Sequence, residues 1–282
     1  MKLLIVGFLS LLSGCAHYGQ LTFEAELPKK LNENSGIVAT TEKSFWIIED
    51  AGNDDVIYNV NLQGDLLRSL KVKSAKNKDW EDLAKDKNGN VYIGDFGNND
   101  NKRKDLVVYK IPNPDIEKGD KIDAEKIEFY YPEQQSFPPE KENFLYDAEA
   151  FFYNNGFLFI ITKNRSIPFT GEALIYKIPA SKGKHKAELI GKLKLCNDAN
   201  TCRITAADIS PDGKTIVLLS NGKLWIYRNV IQENFSKSIA EVINLNIGTQ
   251  LEAVCFKNDT TLLLSDERNK NVGGNLYSYS LK

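Results

Sequence analysis

The chain has 282 residues, 42% hydrophobic and 26% charged, with 36 basic and 38 acidic side chains for a formal charge of −2. A balance so near neutral and so mixed lacks the basic footprint of a nucleic-acid binder, and no nucleic-acid partner is expected. The two histidines, His17 and His185, leave no His pair at zinc spacing and, in practice, no Ser-His-Asp triad.

In chain order the first feature is Lys2, the apolar run Leu3 to Leu12, and Ser13-Gly14 before Cys15. A positive charge, a short apolar core and small residues before a cleavage point make a secretory signal. A run this short cannot cross hydrocarbon, which needs roughly 20 apolar residues. Leu12-Ser-Gly-Cys15 resembles the lipobox cut by the lipoprotein signal peptidase, which implies that Cys15 becomes a lipid-bearing N-terminus. Residue 16 is Ala and not Asp, so the resemblance implies the outer membrane in a host that has one. The expected layout is a signal peptide at 1–14, a lipidated cysteine and tether at 15–19, and one domain at 20–282, monomeric and membrane-bound through Cys15.

Beyond the tether the chain repeats. Five segments share a pattern: Asn34-Ser-Gly-Ile-Val38, Trp80-Glu-Asp-Leu-Ala84, Ala148-Glu-Ala-Phe-Phe152, Ala206-Ala-Asp-Ile-Ser210 and Leu251-Glu-Ala-Val-Cys255. A polar turn follows each, then an apolar β-rich run such as Phe45-Trp-Ile-Ile48, then a third run such as Leu224-Trp-Ile-Tyr227. Asn88-Gly89 and Asp212-Gly213 are hairpin dipeptides, and no stretch keeps a helical period. Short antiparallel strands repeated in this way predict an all-β propeller. The repeat spacing favours five blades, with six as runner-up and a β-sandwich as the other architecture. The last repeat lacks a fourth strand, which Leu21-Thr-Phe-Glu-Ala-Glu-Leu27 can supply, closing the ring. Residues 111–143, rich in Pro and charge, read as a surface excursion. Cys196 and Cys202 flank a polar loop and are expected to form a disulfide in an oxidising envelope, while Cys255 lies in an apolar run and reads as a buried thiol.

Asp79-Trp-Glu-Asp-Leu-Ala84, Tyr92-Ile-Gly-Asp-Phe-Gly-Asn-Asn99, Tyr146-Asp-Ala-Glu-Ala150, Ile161-Thr-Lys163 and Thr205-Ala-Ala-Asp-Ile-Ser-Pro-Asp-Gly213 occur in that order. Together they resemble a group of bacterial secreted propeller-like lipoproteins, over roughly residues 30–270. More distantly the chain is similar to SdiA-regulated proteins, esterase-like phytases and calcium-dependent lactonase and arylesterase propellers. The near resemblance implies a fold and no particular activity. The distant one implies a central calcium ion held by Glu, Asn and Asp at inner-strand ends, without the histidines that such arylesterases also use.

Acids cluster where strands would enter the channel, at Asp79, Glu81, Asp82, Asp147, Glu149, Asp208 and Glu252, and where second strands end, at Glu49, Asp50, Asp95, Asp266 and Glu267. Converging carboxylates repel unless a cation or donor network answers them, and calcium takes 6 to 8 hard oxygens in flexible geometry. The expected metal set is Glu81, Glu149, Glu252, Asp208, Asp95 and Asp266. Glu81, Glu149 and Glu252 share one repeat position, and Ser35 and Ala207 break the ring. The alternatives are backbone capping of turns and catalytic carboxylates. Two functions follow: an envelope propeller binding a ligand or partner on an acidic, calcium-binding face, or a calcium-dependent hydrolase of an ester, lactone or phosphoester. Chain direction further predicts that Gln20 starts on the rim opposite Glu81, so that the acidic face points away from the membrane.

Overall fold

The computed structural model describes residues 18–281 and is built from β-strands, with two short 3-10 turns at Lys141–Asn143 and Gln232–Lys237. Residues 1–14, expected to be a signal peptide, and Cys15 lie outside the described residues. The chain opens on β1 (Thr22–Glu26). Blade one follows as β2 (Asn34–Ala39), β3 (Ser44–Glu49), β4 (Val56–Asn61) and β5 (Leu66–Lys73). Blade two contains β6 (Trp80–Lys85), β7 (Val91–Asp95) and β8 (Leu106–Ile111); β9 (Lys121–Asp123) precedes its outer strand β10 (Glu125–Tyr130). Blade three contains β11 (Asp147–Asn154), β12 (Phe157–Lys163) and β13 (Glu172–Pro179); β14 (Gly183–Lys186) precedes β15 (Glu188–Lys194). Blade four is β16 (Ile204–Ile209), β17 (Thr215–Ser220), β18 (Lys223–Arg228) and β19 (Glu241–Asn244). Blade five has β20 (Leu251–Asn258), β21 (Thr261–Asp266) and β22 (Asn275–Ser280) from the C-terminal end, and takes β1 as its outer strand.

The ring closes because β1 pairs antiparallel with β22, with Thr22 opposite Ser278 and Glu26 opposite Asn275. Each inner strand touches the next in the order β2, β6, β11, β16, β20 and back to β2. Five hydrophobic clusters result, one at each blade-to-blade interface. Between blades one and two, for example, Trp46 and Trp80 are both buried. The protein is a five-bladed β-propeller.

Burial follows position in the blade. β2 is buried along its whole length, because it is covered on both faces. Outer strands such as β5 and β10 alternate, with one face in water. The stretch 111–143 is only partly the expected excursion. It supplies blade two's outer strand β10, and its short β9 pairs parallel with β5 of blade one. Ile122, Ile127, Phe129 and Tyr131 from this stretch are buried. The alternation is too short and too interrupted by charge to read as a strand from sequence. β14 repeats the device, pairing parallel with β10 and carrying His185 to the outer edge of that sheet.

The disulfide joins Cys196 and Cys202, and Cys255 is a buried free thiol. Inside the channel Asp82 is fully buried and joins three blades. Its Oδ1 accepts from the Leu83 N–H at 2.8 Å, and its Oδ2 accepts from the N–H groups of Phe151 and Ala207 at 3.2 Å each. Burial holds its carboxyl well above the usual range, opposed by these three donors.

Candidate functional site

Each inner strand carries one β-bulge near its start. The register shifts fall between Asn34 and Gly36, Trp80 and Asp82, Ala148 and Ala150, Ile204 and Ala206, and Leu251 and Ala253. The extra residues are Ser35, Glu81, Glu149, Thr205 and Glu252. Blade four therefore contributes Thr205 to this ring, where the repeat reading places Ala207. A slip of two residues keeps every side chain on its own face, so hydrophobic patterning cannot detect it. The two hydroxyls lock neighbouring blades, Ser35 Oγ donating to the Glu81 carbonyl at 2.6 Å and Thr205 Oγ1 to the Leu251 carbonyl at 3.2 Å. The three glutamates share one end of the channel and act on one another electrostatically.

The surroundings of these three differ. Glu81 is 6% exposed, and among the described residues no donor reaches its carboxylate. Its nearest companions are acids: carboxylate oxygens of Asp50, Asp79 and Glu81 all lie within 4.8 Å of one another. Burial raises Glu81 well above the usual range, and Glu149, Asp50, Asp147 and Asp79 raise it further. Burial, with Asp50 and Asp147, pushes Asp79 up to about 7. Asp50 accepts from the Ala51 N–H and is also raised by burial.

One side chain and one glycine shape this trio. Asn77 donates from Nδ2 to the carbonyls of Glu49 at 3.0 Å and Asp50 at 2.9 Å, and its Oδ1 accepts from the Trp80 N–H. It thereby ties the loop after β3 to the start of β6. Gly97 packs so closely that a Cβ there would lie 2.0 Å from Glu81 Oε1 and 2.5 Å from the Asp79 carboxylate.

Across the mouth the other glutamates meet cations. Arg165 donates to Glu149 Oε1 and to Asp147 Oδ2, both at 2.7 Å, and Lys163 pairs with Glu149 Oε2. Burial raises the Glu149 carboxyl, and Lys163 opposes it. Burial would lower the Lys163 ammonium, but Glu149 and Glu252 outweigh it and hold the group protonated. Glu252 is raised by burial against Lys163, and Glu267, beside it, is pushed up to about 8 by burial and then by Glu252. The expectation of a uniformly acidic face is thus corrected: one side is acidic, and the other carries Lys163, Arg165 and Arg203. Strand pairing shows the signal that could have found Lys163. It sits one residue past the β12 partner of Ala148, the place that Asp50 and Glu267 hold in their own blades.

Of the six residues expected to hold a metal, Glu81, Glu149 and Glu252 stand at this mouth and only Glu81 belongs to the close oxygen trio. Asp95 supports the trio from behind, with Oδ1 accepting from the Asp79 N–H at 3.1 Å and from Arg103 at 2.9 Å, while its buried Oδ2 has no partner among the described residues. Asp266 is turned into blade five, held by the Asn275 N–H and the Tyr277 hydroxyl at 2.8 Å each. Asp208 is not brought to the mouth. It accepts from the Phe256 and Ile209 N–H groups and lines a separate cavity with Lys85 and the hairpin turns of the opposite face.

Across the mouth from the trio, a cavity of about 840 Å³ opens among blades three, four and five, lined by residues that include Lys163, Arg165, Arg203, Gln250, Glu252 and Glu267. The N-terminal segment reaches β1 from this side. The Gln20 N–H donates to the Leu245 carbonyl at 2.8 Å, and Tyr18 shares a smaller cavity with Gly248, Thr249, Asn271 and Val272, which also line the large one. The predicted start on the opposite rim is therefore overturned. Strand direction alone placed it there, but β1 starts part-way along β22, and a turn at residues 18–21 folds the chain over Leu245.

Neither a protein-family profile nor a curated protein matches the sequence. Among solved structures the chain is similar to the PQQ-bound form of aldose sugar dehydrogenase from Streptomyces coelicolor, with a TM-score of 0.54 and 9% identity over 92% of this chain and 98% of that one. At that identity the likeness carries the propeller fold alone.

Proposed function

We propose that this protein is a lipid-anchored cell-envelope propeller that binds a divalent cation, calcium by its donor chemistry, and with it a polar ligand at the channel mouth. The observation that carries the reading is Glu81, buried, without a hydrogen-bond donor and packed against Asp50 and Asp79. Carboxylates so close are stable together only with protons or a cation between them. The set fits calcium: hard carboxylate oxygens brought together from separate chain segments. Asp50, Asp79 and Glu81 would hold the ion. Glu149 and Glu252, already answered by Lys163 and Arg165, would flank it, so the proposal narrows the expected ligand set.

The anchor belongs to the same proposal and rests on the lipobox-like Leu12-Ser-Gly-Cys15. Three residues from Cys15 to Tyr18 reach at most about 11 Å, and Tyr18 lies on the rim of the mouth. The mouth would then sit close to the lipid surface.

The test is calorimetric titration of the purified full chain, in detergent, with calcium after chelation. Saturable binding that Asp79→Asn abolishes supports the reading, and no heat from either protein overturns it. Turnover of ester, lactone or phosphoester substrates that needs calcium would extend it to a hydrolase. For the anchor, Cys15→Ser should lose incorporation of a palmitate analogue and shift the protein to the soluble fraction. Unchanged labelling removes that part.

A further inference from the structure

We infer that the cavity among blades three, four and five recognises an oxyanion, a carboxylate or phosphate group carried by a hydroxylated ligand, with Arg203 as its anchor. The inference rests on reading this face as ligand-binding, but not on the cation.

Among the described residues Arg203 is the arginine lining this cavity that no carboxylate answers, and the exposed Lys270 on the same lining is a second cation without an ion pair. Arg165 grips Asp147 and Glu149, Lys163 grips Glu149, and Arg103 nearby grips Asp95. Among the described residues no carboxylate lies within ion-pair distance of Arg203. Its Nε donates to the Asn164 carbonyl at 3.1 Å and its guanidinium stands 5.7 Å from the centre of the Phe169 ring, yet among the described residues neither terminal nitrogen finds an acceptor. A planar fork fixed at one edge with its two outer nitrogens free is the arrangement that binds carboxylate or phosphate in bidentate fashion. Burial and the neighbouring Arg165 also press its pKa downward, a strain that an arriving anion would relieve.

The mounting is rigid. Arg203 follows Cys202, which the disulfide ties to Cys196, and Phe169 and Asn164 hold the guanidinium, so little order has to be created on binding. The rest of the lining suits hydroxyl groups. Asn200, Asn221 and Gln250 offer amides, and Glu252 and Glu267 offer acceptors or, when protonated, donors. The same two acids, with Asp147 and Glu149, would disfavour a densely charged ion. A single oxyanion on a hydroxylated body fits better than a bare polyanion.

The experiment titrates the full chain, in detergent with chelator, with gluconate, glucose 6-phosphate and glucose. One of the two oxyanions should bind and glucose should not; which of them binds identifies carboxylate or phosphate as the source. Arg203→Gln should weaken that binding by about tenfold or more while its ligand-free melting temperature stays near that of the parent. Should Arg203→Gln fail to fold, Arg203→Lys keeps the charge without the fork and should show a smaller but measurable loss. Binding of neither oxyanion, equal binding of glucose, or undiminished affinity in the folded variant overturns the inference. Calcium titration of the same proteins, after the chelator has been removed, separates the readings. Oxyanion binding without calcium binding removes the metal alone, and the converse removes this inference alone.

Discussion

Glu81→Gln should make the metal-free protein more stable while removing its response to calcium. Carboxylate oxygens of Asp50, Asp79 and Glu81 lie within 4.8 Å of one another. Two unit charges at that separation repel by about 3.5 kcal/mol at an effective dielectric of about 20. Asp79 is pushed up to about 7, so the trio is only partly ionised at neutral pH, and Asp50 and Asp79 are in part open to solvent, which screens them further. The relief from deleting one charge is then about 1 to 3 kcal/mol. In a domain of this size that corresponds to a rise of about 3 to 8 °C in melting temperature in chelator. Calcium at a hundredfold excess over its Kd should stabilise the parent by about 2.7 kcal/mol and leave the variant unmoved. Thermal melts of both proteins, with chelator and with millimolar calcium at pH 8, test both halves. A variant that melts below the parent in chelator, or that rises with calcium as the parent does, refutes the reasoning.

The pH dependence should run opposite to ordinary acid denaturation. Burial pushes Glu49 and Asp79 up to about 7 and Glu267 up to about 8. Carboxyls raised in the folded state stabilise it most below their unfolded pKa, near 4, and that stability is lost as pH rises through 7 to 8. Chelated protein should therefore melt higher at pH 5.5 than at pH 8.5, and calcium should narrow the gap; a lower melt at pH 5.5 would contradict this. Asp82→Ala strands three buried N–H donors at about 1 to 3 kcal/mol each, so a loss of about 3 to 5 kcal/mol is expected after partial relaxation. Urea unfolding that shows less than about 1 kcal/mol would deny Asp82 its role in joining blades two, three and four. Unreduced protein should give the mass of a joined Cys196–Cys202 pair, and replacing both by Ala should lower stability by about 2 kcal/mol for so short a loop. Two free thiols in the spectrum would remove that expectation.

The acids at the mouth were readable because each occupies a repeated position. Glu81, Glu149 and Glu252 share a bulge, and the sequence around them repeats with it. Their different fates were not readable. Glu81 meets Asp50 through Asn77, 4 residues before it in the chain, while Glu149 meets Lys163 and Arg165 from the end of its own hairpin. Arg203 carried no signal, since what sets it apart is the missing partner, and a missing partner shows only when every neighbour has been placed.

The sequence by itself determined an all-β ring of five blades, its closure by β1, the pairing of Cys196 with Cys202, and the concentration of acid near the inner strands. Those follow from local rules: strand alternation, turn dipeptides and a repeat that leaves the last blade one strand short. Only the tertiary structure decided that Thr205 completes the bulge ring, that Asp208 and Asp266 turn away from the mouth, and that Tyr18 reaches the rim on the mouth's own side. For Asp266 the reason is the face, since its carboxylate is held inside blade five, and for Tyr18 it is a turn before β1; for Thr205 and Asp208 it is height. A strand's period of two fixes which residues share a face and leaves open their height along the channel, and for those two it is height that decides which groups meet.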